Sequence, residues 1–336
     1  MRQAPASILV YVGLDAVGDG LMKLPFLRAL RTAFPAARIT WMAGKGHTVY
    51  AGSLAPVVAG LVDEVLDDAQ VGSRVAELFG SRPLAGRSFD LIIDTQRRLL
   101  TTLILRRIRH ARFISASANF RLSHARPASN WRRPASMVGQ LMTLVELGSG
   151  QPAMATAPLP QDASAERLAD GLLPPGSTYV GFAPGAGGKH KCWPLGRFIE
   201  LAGLHAAEGR VPVFFLGPAE AGWAAEIRAA LPSAVLPLQG VDSAPPMLTI
   251  ALARRLVAAV ANDSGTGHML AAADVALVSL FGPTPPEKFA PAAQRLTVVK
   301  AQDFGADSMD VIPFNAVAGA LAQVLSDTDT TAPALL

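Results

Sequence analysis

Residues 8–33 read ILVYVGLDAVGDGLMKLPFLRALRTA. An apolar run at 8–12 ends in a glycine-bearing turn over 13–20, and apolar positions then return at helical spacing over 21–33. A strand that passes through a tight turn into a helix is the repeating unit of a parallel sheet flanked by helices. The alternation continues outward, with strands expected at 39–42, 62–65, 91–93 and 112–114 and helices at 71–79, 99–106 and 136–147. A Pro-, Ala-, Gly- and Ser-rich stretch at 148–176, with one short helix expected at 163–172, interrupts it. The pattern then restarts, with strands expected at 179–183, 213–216, 256–261, 275–281 and 296–299 and helices at 194–208, 220–231, 247–254, 265–272 and 315–325. The expected fold class is α/β with two doubly wound, Rossmann-like domains: residues 1–155, a linker at 156–175, a second domain at 176–325 and a flexible tail at 326–336. A single (β/α)8 barrel is the alternative, which the central interruption disfavours.

The 336 residues, half of them hydrophobic and 17% charged, suffice for two cores and argue against extended disorder. The longest apolar run, 269–281, is broken by Asp274 and Ser279 and falls short of the roughly 18 residues a membrane-spanning helix needs. The opening residues, with a short apolar stretch followed by Asp15 and Asp19, read as neither a signal peptide nor a twin-arginine leader. The single cysteine, Cys192, excludes an internal disulfide and a cysteine-based zinc site. The cytoplasm is the expected compartment.

Ten arginines (97, 98, 106, 107, 109, 112, 121, 126, 132 and 133) fall in one segment with no acidic residue before Glu146. Without them, 20 basic residues of the chain's 30 face 26 acidic ones, so the whole positive excess of +4 lies here. An anionic partner, or an ordinary solvated face, is implied in equal measure. Nucleic acid is one such partner, though the interleaved aromatics are few and no recognisable motif is present, and a phosphorylated lipid or an acidic sugar at a membrane surface fits at least as well; no nucleic acid is the expectation.

Three strand-to-helix loops have residues suited to chemistry. In GLDAVGDGLMKLP (13–25) the glycine spacing is not that of a dinucleotide fingerprint, and Asp19 stands where a P-loop needs its lysine. Asp19 therefore binds a cation, caps the helix, or acts as a base on a neutral hydroxyl at the carboxyl end of the strand. In APGAGGKHKCWP (183–194) small residues, Gly185 among them, let backbone N–H groups approach an anion, and Lys189 and Lys191 add charge suited to a pyrophosphate. In ANDSGTGHMLAAA (261–273) free N–H groups over Ser264, Gly265, Thr266 and Gly267 and the helix dipole would stabilise a phosphate, with His268 one turn in. His190 and Cys192 read as bystanders.

Asp263-Ser264-Gly265 followed by His268, the Lys191-Cys192-Trp193-Pro194 run after a Pro-Gly loop, the Gly18-Asp19 pair and Phe281-Gly282-Pro283-Thr284 together resemble glycosyltransferase family 9. Its best-known members are ADP-heptose:lipopolysaccharide heptosyltransferases. The resemblance implies a GT-B fold, two Rossmann-like domains facing a central cleft, with the nucleotide sugar held mainly by the second and the acceptor by the first. It also implies inverting, metal-independent transfer from an ADP-sugar, most simply ADP-heptose, to a lipopolysaccharide-core or related anionic glycan, with no cofactor. It makes Asp19 the general base and Lys191 the neutraliser of the leaving diphosphate, the two meeting across the cleft. Gly185, Lys189, Glu220, Asp263, Ser264, Gly265, Thr266 and His268 become the donor site, with Glu220 on the ribose. Lys23, where the family commonly has a small hydroxyl residue, and Arg97 and Arg98, after Asp94-Thr95-Gln96, become acceptor contacts. Such an enzyme would be cytoplasmic and peripheral at the inner leaflet. A nicotinamide-dependent oxidoreductase would need a GxGxxG turn that neither candidate loop provides, and a non-catalytic nucleotide- or lipid-binding protein would have no use for Asp19.

Overall fold

The computed structural model describes residues 4–241, 245–293 and 295–331. The chain divides into two compact units, Met1–Pro160 and Gln161–Leu336.

The first unit runs β1 (Ser7–Val12), α1 (Val17–Ala33), β2 (Arg38–Ala43), β3 (Glu64–Leu66), β4 (Ser88–Asp94), α2 (Leu99–Leu105), β5 (Arg109–Ser115) and α3 (Met137–Ser149). All five strands are parallel, in the order β3-β2-β1-β4-β5. Every side chain from Ile8 to Val12 is buried, as expected of a central parallel strand covered on both faces. Strand order reverses between β1 and β4, so the loops leaving their carboxyl ends diverge there, the place where open α/β sheets take ligands.

Two expectations change here. The helix after β1 starts at Val17, so Gly18 and Gly20 lie inside it rather than in a turn. Gly20 lacks a side chain because a Cβ there would stand 2.6 Å from Val49 Cγ2 and 2.9 Å from Leu54 Cδ1. The helix expected at 71–79 is only a 3-10 turn, Val75–Leu78. Gly72 holds a left-handed conformation (φ +95°) beneath Tyr11, and Glu77 accepts the N–H groups of Gly72, Ser73 and Arg74 at 2.7, 3.0 and 2.7 Å. A carboxylate that binds three consecutive N–H groups fixes a loop and leaves no room for helical ones.

The second unit runs α4 (Ala163–Leu172), β6 (Tyr179–Ala183), α5 (Leu195–Ala207), β7 (Val211–Phe214), α6 (Ala224–Ala230), α7 (Pro246–Ala253), β8 (Leu256–Asn262), α8 (Gly265–Ala272), β9 (Ala276–Phe281), α9 (Pro286–Phe289), β10 (Leu296–Lys300) and α10 (Phe314–Thr331). Its sheet is again wholly parallel, ordered β10-β9-β8-β6-β7, with the reversal between β6 and β8. From Gln161 onward the segment expected as linker belongs to this unit. Its α4 is tied down by ion pairs from Glu166 to Arg254 and from Asp170 to Arg255. The expected frayed tail is helical as far as Thr331, and residues 332–336 lie outside the described residues. Among the described residues no helix is long and apolar enough to cross a membrane.

Candidate active site

The second unit gathers three loops at the carboxyl edge of its sheet. Asn262, the last residue of β8 and fully buried, donates through Nδ2 to the Pro184 carbonyl (2.7 Å) and accepts the Trp193 N–H on Oδ1 (3.2 Å). One amide thus clamps both ends of the loop after β6 against the end of β8. Trp193 anchors that loop in turn, its indole N–H donating to the Ile312 carbonyl at 3.0 Å. Held between these fixed points, the Lys191 ammonium lies 3.1 Å from Asp263 Oδ2. The bridge spans the switch point, from the loop after β6 to the loop after β8.

Ser264 caps α8, its Oγ accepting the Gly267 N–H at 3.1 Å. The Gly267 N–H, expected to be open to an anion, is therefore occupied. The N–H groups of Gly265 and Thr266, first in the helix, have no acceptor within it and stand at the positive end of its dipole. His268 is buried in the following turn, its N–H on the Ser264 carbonyl at 3.2 Å. Lys189 is exposed.

Glu220 sits in the 3-10 turn Pro218–Trp223 after β7, where Oε2 accepts the Gly217 N–H at 3.1 Å. Its carboxylate lies directly over Gly185, since a Cβ at 185 would stand 2.6 Å from Glu220 Cδ. Burial, followed by the charge of Glu220, pushes the Cys192 thiol up from its ordinary value, the opposite of an activated nucleophile. Gly185, Lys191, Glu220 and the start of α8 are thus brought to one edge. Gly185→Ala is expected to push the flexible carboxylate end of Glu220 aside at little cost in stability and to weaken ADP binding. Urea unfolding and calorimetry would check both, and an unchanged ADP affinity would separate Glu220 from the nucleotide.

In the first unit Asp19 is exposed, in the opening turn of α1, and its side chain has no hydrogen bond or ion pair among the described residues. It is not the cap, a position held by Ala16, whose side chain caps nothing. The neighbouring Asp15 is the opposite case, buried and accepting Thr48 Oγ1 at 2.9 Å and Trp41 Nε1 at 3.3 Å as well as the Lys23 ammonium. Lys23, expected at the acceptor, is instead paired with Asp15, which ties the loop before α1 to the helix that carries Asp19. Across the switch point, Thr95 bonds the Tyr11 carbonyl through N–H (3.2 Å) and hydroxyl (2.8 Å), and Gln96 N–H bonds Asp94 Oδ1 (2.9 Å). Asp94 itself accepts the hydroxyls of Thr102 (2.6 Å) and Ser115 (2.8 Å), and burial pushes its carboxyl up to about 6. It is a structural group, closed off from substrate.

Arg97 and Arg98 are exposed at this edge. Burial, and then the charge of Arg133, hold the Arg97 guanidinium below its usual value, and burial and Arg98 do the same to the Lys45 ammonium. Lys45 thus joins the basic rim, although its Gly-Lys-Gly setting after β2 is the sole sequence signal for it. Asn262 carried no sequence signal beyond its place before Asp263. Among the described residues no group of three or more His, Cys, Asp or Glu could hold a metal ion.

The family model for glycosyltransferase family 9 (heptosyltransferase) matches residues 80–310. The chain belongs to glycosyltransferase family 9. As a family 9 member the protein is a glycosyltransferase, and the expected GT-B class, two parallel-sheet α/β domains, is borne out. It is 30% identical to lipopolysaccharide heptosyltransferase 1 of Pseudomonas aeruginosa over 293 residues, 83% of this chain and 79% of that protein. A shorter match, 31% over 126 residues, covers 36% of this chain and 36% of lipooligosaccharide heptosyltransferase 2 of Haemophilus influenzae. Among solved structures, a family 9 glycosyltransferase from Veillonella parvula has a TM-score of 0.70 at 20% identity, covering 96% of this chain and 97% of that one. E. coli ADP-heptose lps heptosyltransferase II has a TM-score of 0.66 at 22% identity, covering 96% and 99%. At such identities these structures speak for the family 9 fold alone.

Proposed function

We propose that this protein transfers a heptose from an ADP-sugar to a lipopolysaccharide-core or related anionic glycan, with inversion and without a metal or other cofactor. The observation that carries the reading is the Lys191–Asp263 bridge at the switch point of the second unit, beside the open N-terminus of α8. An ammonium and two unsatisfied N–H groups at one edge match a nucleoside diphosphate, whose charge needs fixed donors. Glu220, over Gly185, accepts the ribose hydroxyls, and Lys189, Ser264, Thr266 and His268 complete the donor site.

In this reaction Asp19 takes the proton of the acceptor hydroxyl as its oxygen bonds to the anomeric carbon. The bond from that carbon to the diphosphate oxygen breaks, and ADP leaves with its growing charge met by Lys191 and the α8 N–H groups. Arg97, Arg98 and Lys45 face the anionic acceptor. A lipid-borne acceptor would bring the enzyme from the cytoplasm to the inner leaflet as a peripheral protein. The relatives named above are the support for heptose and for a lipopolysaccharide acceptor.

Titration calorimetry with ADP, UDP, GDP and CDP in the presence of EDTA tests the donor reading. ADP is expected to bind most tightly and to be indifferent to chelation. Binding that disappears with EDTA would overturn metal independence, and a preference for another nucleotide would overturn the ADP-sugar assignment.

A further inference from the structure

The arginine segment parts into two groups at opposite ends of the first unit's sheet. Arg97 and Arg98 stand where β4 hands over to α2, at the carboxyl edge. Helix α2 then runs back along the sheet, so Arg106, Arg107 and Arg109 emerge at the amino edge, where β5 begins. There they line, with Arg82, Ile108 and His110, a cavity of about 450 Å³ that has no carboxylate in its wall. None of these four arginines forms an ion pair among the described residues.

Backbone carbonyls hold two of the guanidinium groups in place instead. Arg107 donates to Gly80 O at 2.6 Å, to Ser81 O at 3.3 Å and to the Glu77 carbonyl, while Arg106 donates to the Leu122 carbonyl. Neutral acceptors fix the geometry without cancelling charge, and the loop's own carboxylate, Glu77, is spent on three backbone N–H groups. The same loop carries Phe79, 84% exposed, with exposed Val75 in the same turn, and Leu103, also exposed, lies on the face of α2 that leads to Arg106 and Arg107. An aromatic ring left in water beside uncompensated guanidinium groups has the chemistry of an interface with anionic lipid, apolar groups entering the headgroup layer and cations meeting phosphate.

We infer that this amino-edge surface of the first unit docks on an anionic phospholipid layer, with a headgroup phosphate in the cavity of Arg82, Arg106, Arg107 and Arg109 and Phe79 inserted beside it. It rests on the proposed reaction only for why an enzyme of this kind should meet a membrane, and its test reads lipid binding rather than transfer. A seven-residue strand spans about 20 Å. The carboxyl edge that carries Asp19 would stand that far from the headgroups, within reach of a glycan that projects from the lipid.

Cosedimentation of the full chain with phosphatidylcholine vesicles, and with the same vesicles containing phosphatidylglycerol, tests the inference. The protein is expected on the anionic vesicles alone. Changing Arg106, Arg107 and Arg109 together to Gln is expected to weaken binding on the order of 100-fold, each arginine contributing roughly fivefold. A charge-matched variant with Arg121, Arg126 and Arg132 changed to Gln should keep most of it. Phe79→Ala, which removes an exposed side chain and so leaves the fold intact, should cost about tenfold from lost apolar burial. Equal losses in the two triple variants would reduce the surface to diffuse charge and overturn the inference. So would binding of inorganic phosphate or of RNA that depends on Arg106, Arg107 and Arg109 in a protein that ignores both vesicles.

Discussion

Asp19→Asn is expected to lower turnover by roughly 100-fold or more, the usual contribution of a positioned general base, while the melting temperature barely moves. The two readouts separate because Asp19 is exposed in the first turn of α1 and holds no partner among the described residues. Folding therefore loses only the favourable interaction of a carboxylate with the helix dipole, about 0.3–1 kcal/mol. Asparagine keeps the shape of the side chain and cannot accept the proton. Asp15 gives the contrasting control, since Asp15→Asn would strip charge from a buried group that gathers Thr48, Trp41 and Lys23. That variant should lose stability first. Steady-state transfer and thermal melting, measured on both variants, give the check: near-normal turnover of Asp19→Asn would move the base elsewhere.

Most strands are legible in the sequence because a buried parallel strand is a short apolar run bounded by turn residues, as at 8–12, whereas β3, a Glu-Val-Leu edge strand with no buried residue, is the least marked of them. The first loop is less legible, because glycine has two uses. Gly18 and Gly20 resemble a turn, yet Gly20 is a helical residue kept small by the packing of Val49 and Leu54, long-range neighbours that no local pattern announces. The loop at 71–79 has helical spacing, and Tyr11 overrides it by closing over Gly72 from a strand some sixty residues earlier. The site shows the same division. The residue types of Lys191, Asp263 and Glu220 follow from their loops, but their arrangement depends on Asn262, an amide whose two bonds to Pro184 and Trp193 exist only in the folded chain. Likewise ten arginines in one run look like a single surface, and the reversal of direction through α2 is what distributes them to two edges.

The pair Lys191 and Asp263 carries a prediction that separates two roles for the aspartate. A carboxylate beside a diphosphate is repulsive unless a cation lies between them. With the Lys191 ammonium 3.1 Å from Asp263 Oδ2, the proposed reaction has the aspartate aim the lysine and the lysine meet the phosphate. Lys191→Ala is then expected to reduce kcat by about 100- to 1000-fold, as for other preorganised groups that meet developing negative charge. It should also weaken ADP binding, because the uncovered Asp263 charge faces the ligand. Asp263→Ala should be milder, leaving the ammonium in place but less firmly aimed. The double variant should bind ADP better than Lys191→Ala alone, since it removes the exposed repulsion that the single change creates. Such non-additivity is the mark of residues that act as one unit. The four proteins of the cycle, compared by ADP calorimetry and by turnover, decide it: losses that simply add would mean that Asp263 contacts the ligand in its own right and that the bridge does not organise the phosphate site.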